Sequence, residues 1–343
     1  MKIIITGTAG FIGFHLTKLL CESENNELLT IDNINDYYDI NLKYDRLKQL
    51  GIDKNSIENE KLVKSNKYAN LTFVKLNIED KSVIKMLQYF SPDVIIHLAA
   101  QAGVRYSFEN PYTYISSNID AFLNILEYCR YGKPKHLIYA SSSSVYGINK
   151  KIPFSVEDMV DFPISLYAAT KKSNELMAHT YSYLFDIPTT GLRFFTVYGS
   201  WGRPDMALFK FTQNIIKQKP IEVYNNGNMY RDFTYIDDIT TSIQRLIPLA
   251  PEKEQNSKTP APYRLLNIGN GQPINLMDFV RAIEKELNTK AIINYLPLQP
   301  GDVIATHADT KELFELINFK PQTSIEQGIK SFIQWYKEYY NVK

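Results

Sequence analysis

Tyr167 and Lys171 stand four residues apart in Ser165-Leu-Tyr-Ala-Ala-Thr-Lys-Lys-Ser-Asn-Glu-Leu-Met, a run rich in helix formers whose start is marked by Pro163 and Ser165. On a helix, positions i and i+4 share a face, so the phenol and the ammonium project side by side. A free tyrosine has a pKa of about 10, too high for a base at neutral pH. A fixed cation within a few ångströms favours the phenolate and lowers that value. The pair is then suited to taking a proton from an alcohol. Alone, the spacing is common, and an ordinary helix rim would carry it as well. Two further stretches give it weight.

The first is Gly7-Thr-Ala-Gly10-Phe-Ile-Gly13, directly after the β-branched run Ile3-Ile-Ile-Thr6. Such a run predicts a strand buried on both faces of a parallel sheet, and Phe14 to Cys21 reads as a helix. The first glycine permits the turn and the second lets the backbone approach a pyrophosphate. The third lets helix and strand pack closely. Phe11 and Ile12 belong to the same phosphate-facing turn. Asp32 closes the next strand, 19 residues after Gly13. An acid there binds the adenosine ribose hydroxyls and repels a 2′-phosphate, so NAD is expected rather than NADP, with Asn33 and Asn35 beside the adenosine. The second stretch is Ala140-Ser-Ser-Ser-Ser-Val-Tyr-Gly147, which places hydroxyls at the end of the strand beginning at Lys135.

The elements that must position these groups follow in order. Leu71 to Ile78 alternates like a strand. Pro92 to Gln101 reads as another, ending in small residues that leave room for a ligand at the sheet's carboxyl edge. His97 is flanked by apolar residues and reads as a core histidine. Residues 36 to 70 are longer than a usual crossover and carry a charged helical run, Leu42 to Leu50; most of this insert reads as a solvated surface excursion. Asn118 to Tyr131 is a helix with Phe122, Leu123, Leu126 and Tyr128 toward the core. Pro251 to Pro262 reads as an exposed loop. Leu276 to Leu287 has helical periodicity.

At 343 residues the chain can bury a large core. A net charge of +1 gives no field that points to nucleic acid. Cys21 and Cys129 have no ligand-like spacing, so neither a disulfide framework nor a metal site is expected. No apolar run approaches the roughly 20 residues needed to span a bilayer. The N-terminus reads as a strand rather than a signal peptide. A cytoplasmic enzyme without membrane or nucleic-acid partners is the expectation.

The glycine spacing, the serine turn and the Tyr/Lys pair, in this order, resemble the extended short-chain dehydrogenase/reductase family. Within it the chain looks like the nucleotide-sugar 4-epimerases, most of all those acting on UDP-glucuronate. The resemblance runs from Met1 to about Asp309. It implies an α/β fold: a Rossmann-type doubly wound parallel sheet with a smaller C-terminal α/β substrate domain. The NAD-binding domain would comprise 1–195 with about 229–262. The UDP-sugar-binding domain would comprise about 196–228 and 263–343. The family's homodimer contact falls on the helix from Asn118 and the helix after Tyr167.

The same resemblance implies roles. Tyr167, Lys171 and Ser142 would be catalytic, with Ser142 bridging the substrate oxygen and Tyr167. Leu98, Ala99, Ala100 and Gln101 would lie along the cofactor. Asn77, where the family usually has an acid, and the backbone of Ile78 would meet adenine. Phe194 would flank the nicotinamide. Arg105 and Arg231 would face the diphosphate, and Asp302 the uridine ribose. Arg203 would assist. Decarboxylases and 4,6-dehydratases of the family carry acids before the Val-Tyr-Gly turn, whereas this chain has Ser143 and Ser144. With Thr196, these hydroxyls would hold a sugar carboxylate. That matters because a 4-keto-glucuronate is a β-keto acid, which loses carbon dioxide when its carboxylate bond stands perpendicular to the ketone plane. The implied activity is NAD-dependent 4-epimerisation of UDP-glucuronate to UDP-galacturonate. A neutral or N-acetylated UDP-sugar, a decarboxylase, or a non-catalytic NAD sensor are the alternatives.

Overall fold

A computed structural model describes residues 1–253, 259–299 and 301–342. Part of the expected 251–262 loop (254–258) and Pro300 lie outside the described residues. In chain order the elements are β1 (Lys2–Thr6), α1 (Phe11–Cys21), β2 (Glu27–Asp32), α2 (Ile40–Gln49), β3 (Leu62–Lys64), β4 (Leu71–Lys75), α3 (Ser82–Phe90) and β5 (Val94–His97). There follow α4 (Tyr106–Glu109), α5 (Pro111–Ile115), α6 (Ala121–Gly132), β6 (His136–Ser142), α7 (Leu166–Phe185), β7 (Thr189–Phe194), β8 (Thr196–Tyr198), α8 (Ala207–Ile216), β9 (Ile221–Tyr224) and β10 (Tyr230–Tyr235). The chain ends with α9 (Ile236–Leu246), β11 (Tyr263–Ile268), β12 (Pro273–Asn275), α10 (Leu276–Leu287), β13 (Ile293–Leu296), α11 (Lys311–Ile317) and α12 (Ile325–Tyr340).

Two compact units are present. The first comprises Met1–Ile148, Met159–Arg193 and Thr240–Leu266; the second comprises Asn149–Asp158, Phe194–Ile239 and Asn267–Lys343. The first unit is built on an eight-stranded sheet ordered β11-β7-β6-β5-β1-β2-β4-β3. β1 pairs in parallel with β2 and β5, β2 with β4, and β5 with β6, while the short edge strand β3 is antiparallel to β4. Ile3, Ile4 and Ile5 are wholly buried, as a strand covered by helices on both faces requires. Each such side chain contributes about 1.5–3 kcal/mol by leaving water. The fold class is the doubly wound α/β sheet that the strand–helix alternation implies.

Much of the insert is the solvated excursion expected, and one face of its helix is the exception. Residues 53–56 and 58–62 are exposed, but Leu42, Lys43, Arg46 and Leu47 of α2 are buried. A charged helix reads as solvated from its composition. Here one face is covered because Lys43 and Arg46 find carbonyl and phenol acceptors inside. The helix beginning near Asn118 also differs: residues Ser116–Asp120 form a π-helical turn before α6. Leu123 points outward, and Ile125 takes its place in the core beside Phe122 and Leu126.

The second unit has a three-stranded sheet, β12-β10-β8, and a parallel pair, β13 with β9. Its core is aromatic. Phe233 and Phe279 stack at 4.2 Å, and in the same cluster Phe209 packs edge to face on Phe332 and Tyr336. No helix among the described residues is long and apolar enough to cross a membrane.

Candidate active site

In the first unit, the loop between β1 and α1 is tied by contacts no side chain could replace. Gly7 has a φ of +82°, and a Cβ there would lie 2.8 Å from the Ala99 nitrogen. A Cβ on Gly13 would fall 2.1 Å from the Gly7 carbonyl oxygen. Gly10 caps α1 with no side-chain bond. The first-turn N–H groups of Phe11, Ile12 and Gly13 therefore have no side-chain cap and form a ready anion site. These features fit a dinucleotide pyrophosphate.

Asp32, at the end of β2, is buried. Its carboxylate accepts from Ala9 N at 2.9 Å and from Ile34 N at 2.7 Å. A carboxylate has about four lone-pair positions, so room remains for ribose hydroxyls. Ile34 is held at φ +54°, a conformation that strains a β-branched residue by about 1–3 kcal/mol. Asn33 accepts from Asn35 N, and Asn35 accepts from Lys43 through both its carbonyl and its side chain. Asn77 is exposed, and the Ile78 carbonyl is taken by Asn124 at 2.8 Å, which leaves its N–H as the group for a base.

Beyond β5, the turn from Leu98 to Gln101 is pinned at both ends. Thr6 Oγ1 accepts from Ala99 N, and its hydroxyl also meets His97 Nδ1 at 2.9 Å. Burial lowers the His97 pKa to about 3, so it stays neutral in the core. Asn118 Oδ1 accepts from Gln101 N, and Asn118 Nδ2 donates to Gln101 O and to Thr170 Oγ1. Thr170 in turn donates to the carbonyl of Tyr167. Asn118 thus links the crevice to the helix that carries Tyr167. No spacing or motif marks it in the sequence, since only its tertiary contacts bring it to the crevice. The π turn sets its position, and such turns recur at functional sites.

α7 is capped by Ser165, whose Oγ accepts from Ala168 N. It carries Tyr167, which is partly exposed and lies edge to face with Tyr114 at 6.0 Å. One turn on, Lys171 is buried and donates to the Ala140 carbonyl at 2.8 Å. Burial lowers its pKa to about 8. Ala140 belongs to β6, the strand that ends at Ser142, so the structure brings the ammonium to the serine turn. Ser142 Oγ accepts from Ser144 N at 3.1 Å. Ser143 and Ser144 are partly exposed. Behind them Ser141 donates to Glu175, which pairs with Arg193 through two bonds of 2.8 and 2.9 Å. Arg105 is exposed at the start of α4.

In the second unit, Phe194 is buried and Thr196 opens β8, which pairs with β10. Arg231 on β10 donates to the carbonyls of Tyr230 and Ile304, and the Asp302 carboxylate stands close enough to act on its charge. The structure therefore groups Arg231 with Asp302. Burial, the larger influence, draws the Arg231 pKa down, and Asp302 opposes it. Beneath them Asp232 is wholly buried and accepts from the backbone N–H of Asn270, Gly271 and Ala308. Burial raises its pKa, and those three donors lower it in part. Arg203 is clasped by Asp205, two residues on, through Nε and Nη2. Its fork is already occupied.

The chain belongs to the NAD dependent epimerase/dehydratase family, whose model matches residues 3–258. Within that family it is 54% identical to Protein CapI of Staphylococcus aureus, with 99% of both chains covered. It is 47% identical to a probable UDP-glucuronate 4-epimerase of Rhizobium meliloti, covering 99% of this chain and 98% of that protein. Among solved structures it is similar to the UDP-glucuronic acid 4-epimerase from Bacillus cereus, solved with UDP-glucuronic acid and NAD. The TM-score is 0.85 at 31% identity, covering 99% of this chain and 100% of that one.

Proposed function

We propose that this protein is an NAD-dependent UDP-sugar 4-epimerase that interconverts UDP-glucuronate and UDP-galacturonate. The observation that carries the reading is the buried Lys171 ammonium, one turn from Tyr167 and bonded to the strand that ends at Ser142. The nicotinamide, when bound, supplies a hydride acceptor and donor for C4 of the sugar. Tyr167 takes the proton of the 4-hydroxyl and returns it after the sugar has turned. Lys171 favours the phenolate by its charge, and Ser142 donates to the C4 oxygen. The glycine loop, Asp32, Asn33, Asn35, Asn77, Ile78, Leu98 to Gln101 and Phe194 hold the cofactor. Arg105, Arg231 and Asp302 hold the nucleotide. In the first unit Ser143 and Ser144 are the hydroxyls for the sugar carboxylate, and in the second Thr196 is; Arg203, clasped by Asp205, is left out of this role.

Serine hydroxyls before the Val-Tyr-Gly turn favour retention of the carboxylate. Incubation with UDP-glucuronate and NAD should give an isomer of unchanged mass. A product lighter by one carbon dioxide, or turnover confined to neutral UDP-sugars in a competition panel, overturns the substrate assignment.

The lowered pKa of Lys171 has a kinetic consequence. Below about 8 the amine is charged and supports the phenolate; as pH rises through that value the charge is lost. The alkaline limb of kcat/KM, which reports the free enzyme, should therefore fall from about pH 8.

The protein is a cytoplasmic homodimer in this reading. Its contact is supported by the exposed apolar side chains Leu123 and Tyr131 on α6 and Leu176, Tyr183 and Leu184 on α7. Light scattering should give twice the 39.6 kDa chain mass, and Leu176→Glu should shift it toward one.

A further inference from the structure

The buried cations of the insert have no place in the mechanism above. Lys43 and Arg46 stand one turn apart on α2, with 5% and 0% exposure. A helix that only covers the sheet would bury apolar groups there, because a buried charge is costly unless it is bonded. Both are bonded, and to backbone. Lys43 Nζ donates to the Asn35 carbonyl at 2.7 Å and to its side-chain oxygen. Arg46 Nη1 donates to the Ala9 carbonyl at 2.8 Å and to the Tyr38 hydroxyl at 2.6 Å. The Lys43 ammonium also lies 4.8 Å from the centre of the Tyr38 ring.

Their acceptors are in two particular turns. Ala9 lies in the glycine loop after β1, and Asn35 in the turn after β2. Asp32 holds the same two turns from its other side, through Ala9 N and Ile34 N. Each turn is therefore gripped twice, once by the carboxylate and once by a cation of α2.

We propose that α2 is a brace for the adenosine half of the dinucleotide. Lys43 and Arg46 are positioning residues that fix the two turns lining that half before the cofactor arrives. They act through Asn35 and Ala9, and Tyr38 joins them. Preorganisation of this kind lowers the ordering cost of binding. The inference rests on the cofactor reading above.

The test is calorimetry with ADP-ribose, which lacks the nicotinamide, and with UDP, on Lys43→Met and Arg46→Met. ADP-ribose affinity should fall about ten-fold or more in each, the size expected for loss of a charge-assisted bond. UDP affinity, which reports folding and the nucleotide half of the second unit, should stay at the wild-type value. Wild-type ADP-ribose affinity in both variants overturns the proposal. If either variant also loses UDP, Tyr38→Phe decides, since it removes only the hydroxyl that Arg46 meets. A loss of three-fold or more in ADP-ribose affinity, with UDP unchanged, supports the brace, and no loss refutes it. A wild-type protein that binds ADP-ribose but turns over no UDP-sugar would fail the functional reading alone.

Discussion

Tyr167→Phe should lower kcat by about 10²–10⁴-fold, the range over which a positioned acid–base group acts, with NAD and UDP-sugar still bound. The substitution removes one oxygen and no apolar contact, so the edge-to-face packing on Tyr114 remains. What is lost is the atom that shares a proton with the 4-hydroxyl in both directions. Forward and reverse rates should therefore fall together and the equilibrium ratio of the two sugars should not change. Lys171→Met should show a smaller loss in kcat. It should also disturb the serine turn, because the Ala140 carbonyl loses its donor. Near wild-type turnover in Tyr167→Phe, measured by single-turnover sugar analysis, would remove the phenol from the mechanism.

The largest effect on stability is expected at Glu175 and Arg193. Their side chains are 2% and 1% exposed and joined by two parallel bonds. Such a pair adds little net stability against apolar residues of the same volume, but removing Arg193 leaves the buried Glu175 charge with only Ser141 and Lys172, the latter at 3.5 Å, and costs up to about 3–5 kcal/mol. Arg193→Met should show this as a lower denaturant midpoint. The pair also has a functional face. Ser141 donates to Glu175, and the Arg193 guanidinium lies 4.9 Å from the centre of the Tyr146 ring. The loss should therefore spread to the serine turn as raised hydrogen exchange at Ser142–Tyr146. Arg193→Met combined with Glu175→Met should recover much of the midpoint. If the double substitution is no better than the single, the cost comes from packing rather than a stranded charge.

Much of the first unit was legible because its signals are local. The Ile3–Ile5 run, the three glycines and Asp32 need only their neighbours in sequence to be read. Tyr167 and Lys171 share a helix, so their spacing alone sets their proximity. The features that escaped are tertiary. Glu175 and Arg193 lie 18 residues apart on a helix and a strand, and no periodicity pairs them. Lys43 and Arg46 look solvated because composition counts charges and not the carbonyls they will meet. Asn118 depends on a π turn that no propensity marks. Arg203 is the opposite case: its partner Asp205 is only two residues away, and that local pairing was within reach.

The chain passes between the two units five times, at 148/149, 158/159, 193/194, 239/240 and 266/267. Neither unit is a contiguous stretch, so no single proteolytic cut or truncation releases one of them whole. During synthesis, the outermost strand of the large sheet, Tyr263–Ile268, emerges last. Until then the nascent sheet lacks an edge strand and β7 is left unpaired on that side. A ribosome stalled before that point would hold an aggregation-prone edge, and a chaperone that masks strand edges would act in that interval.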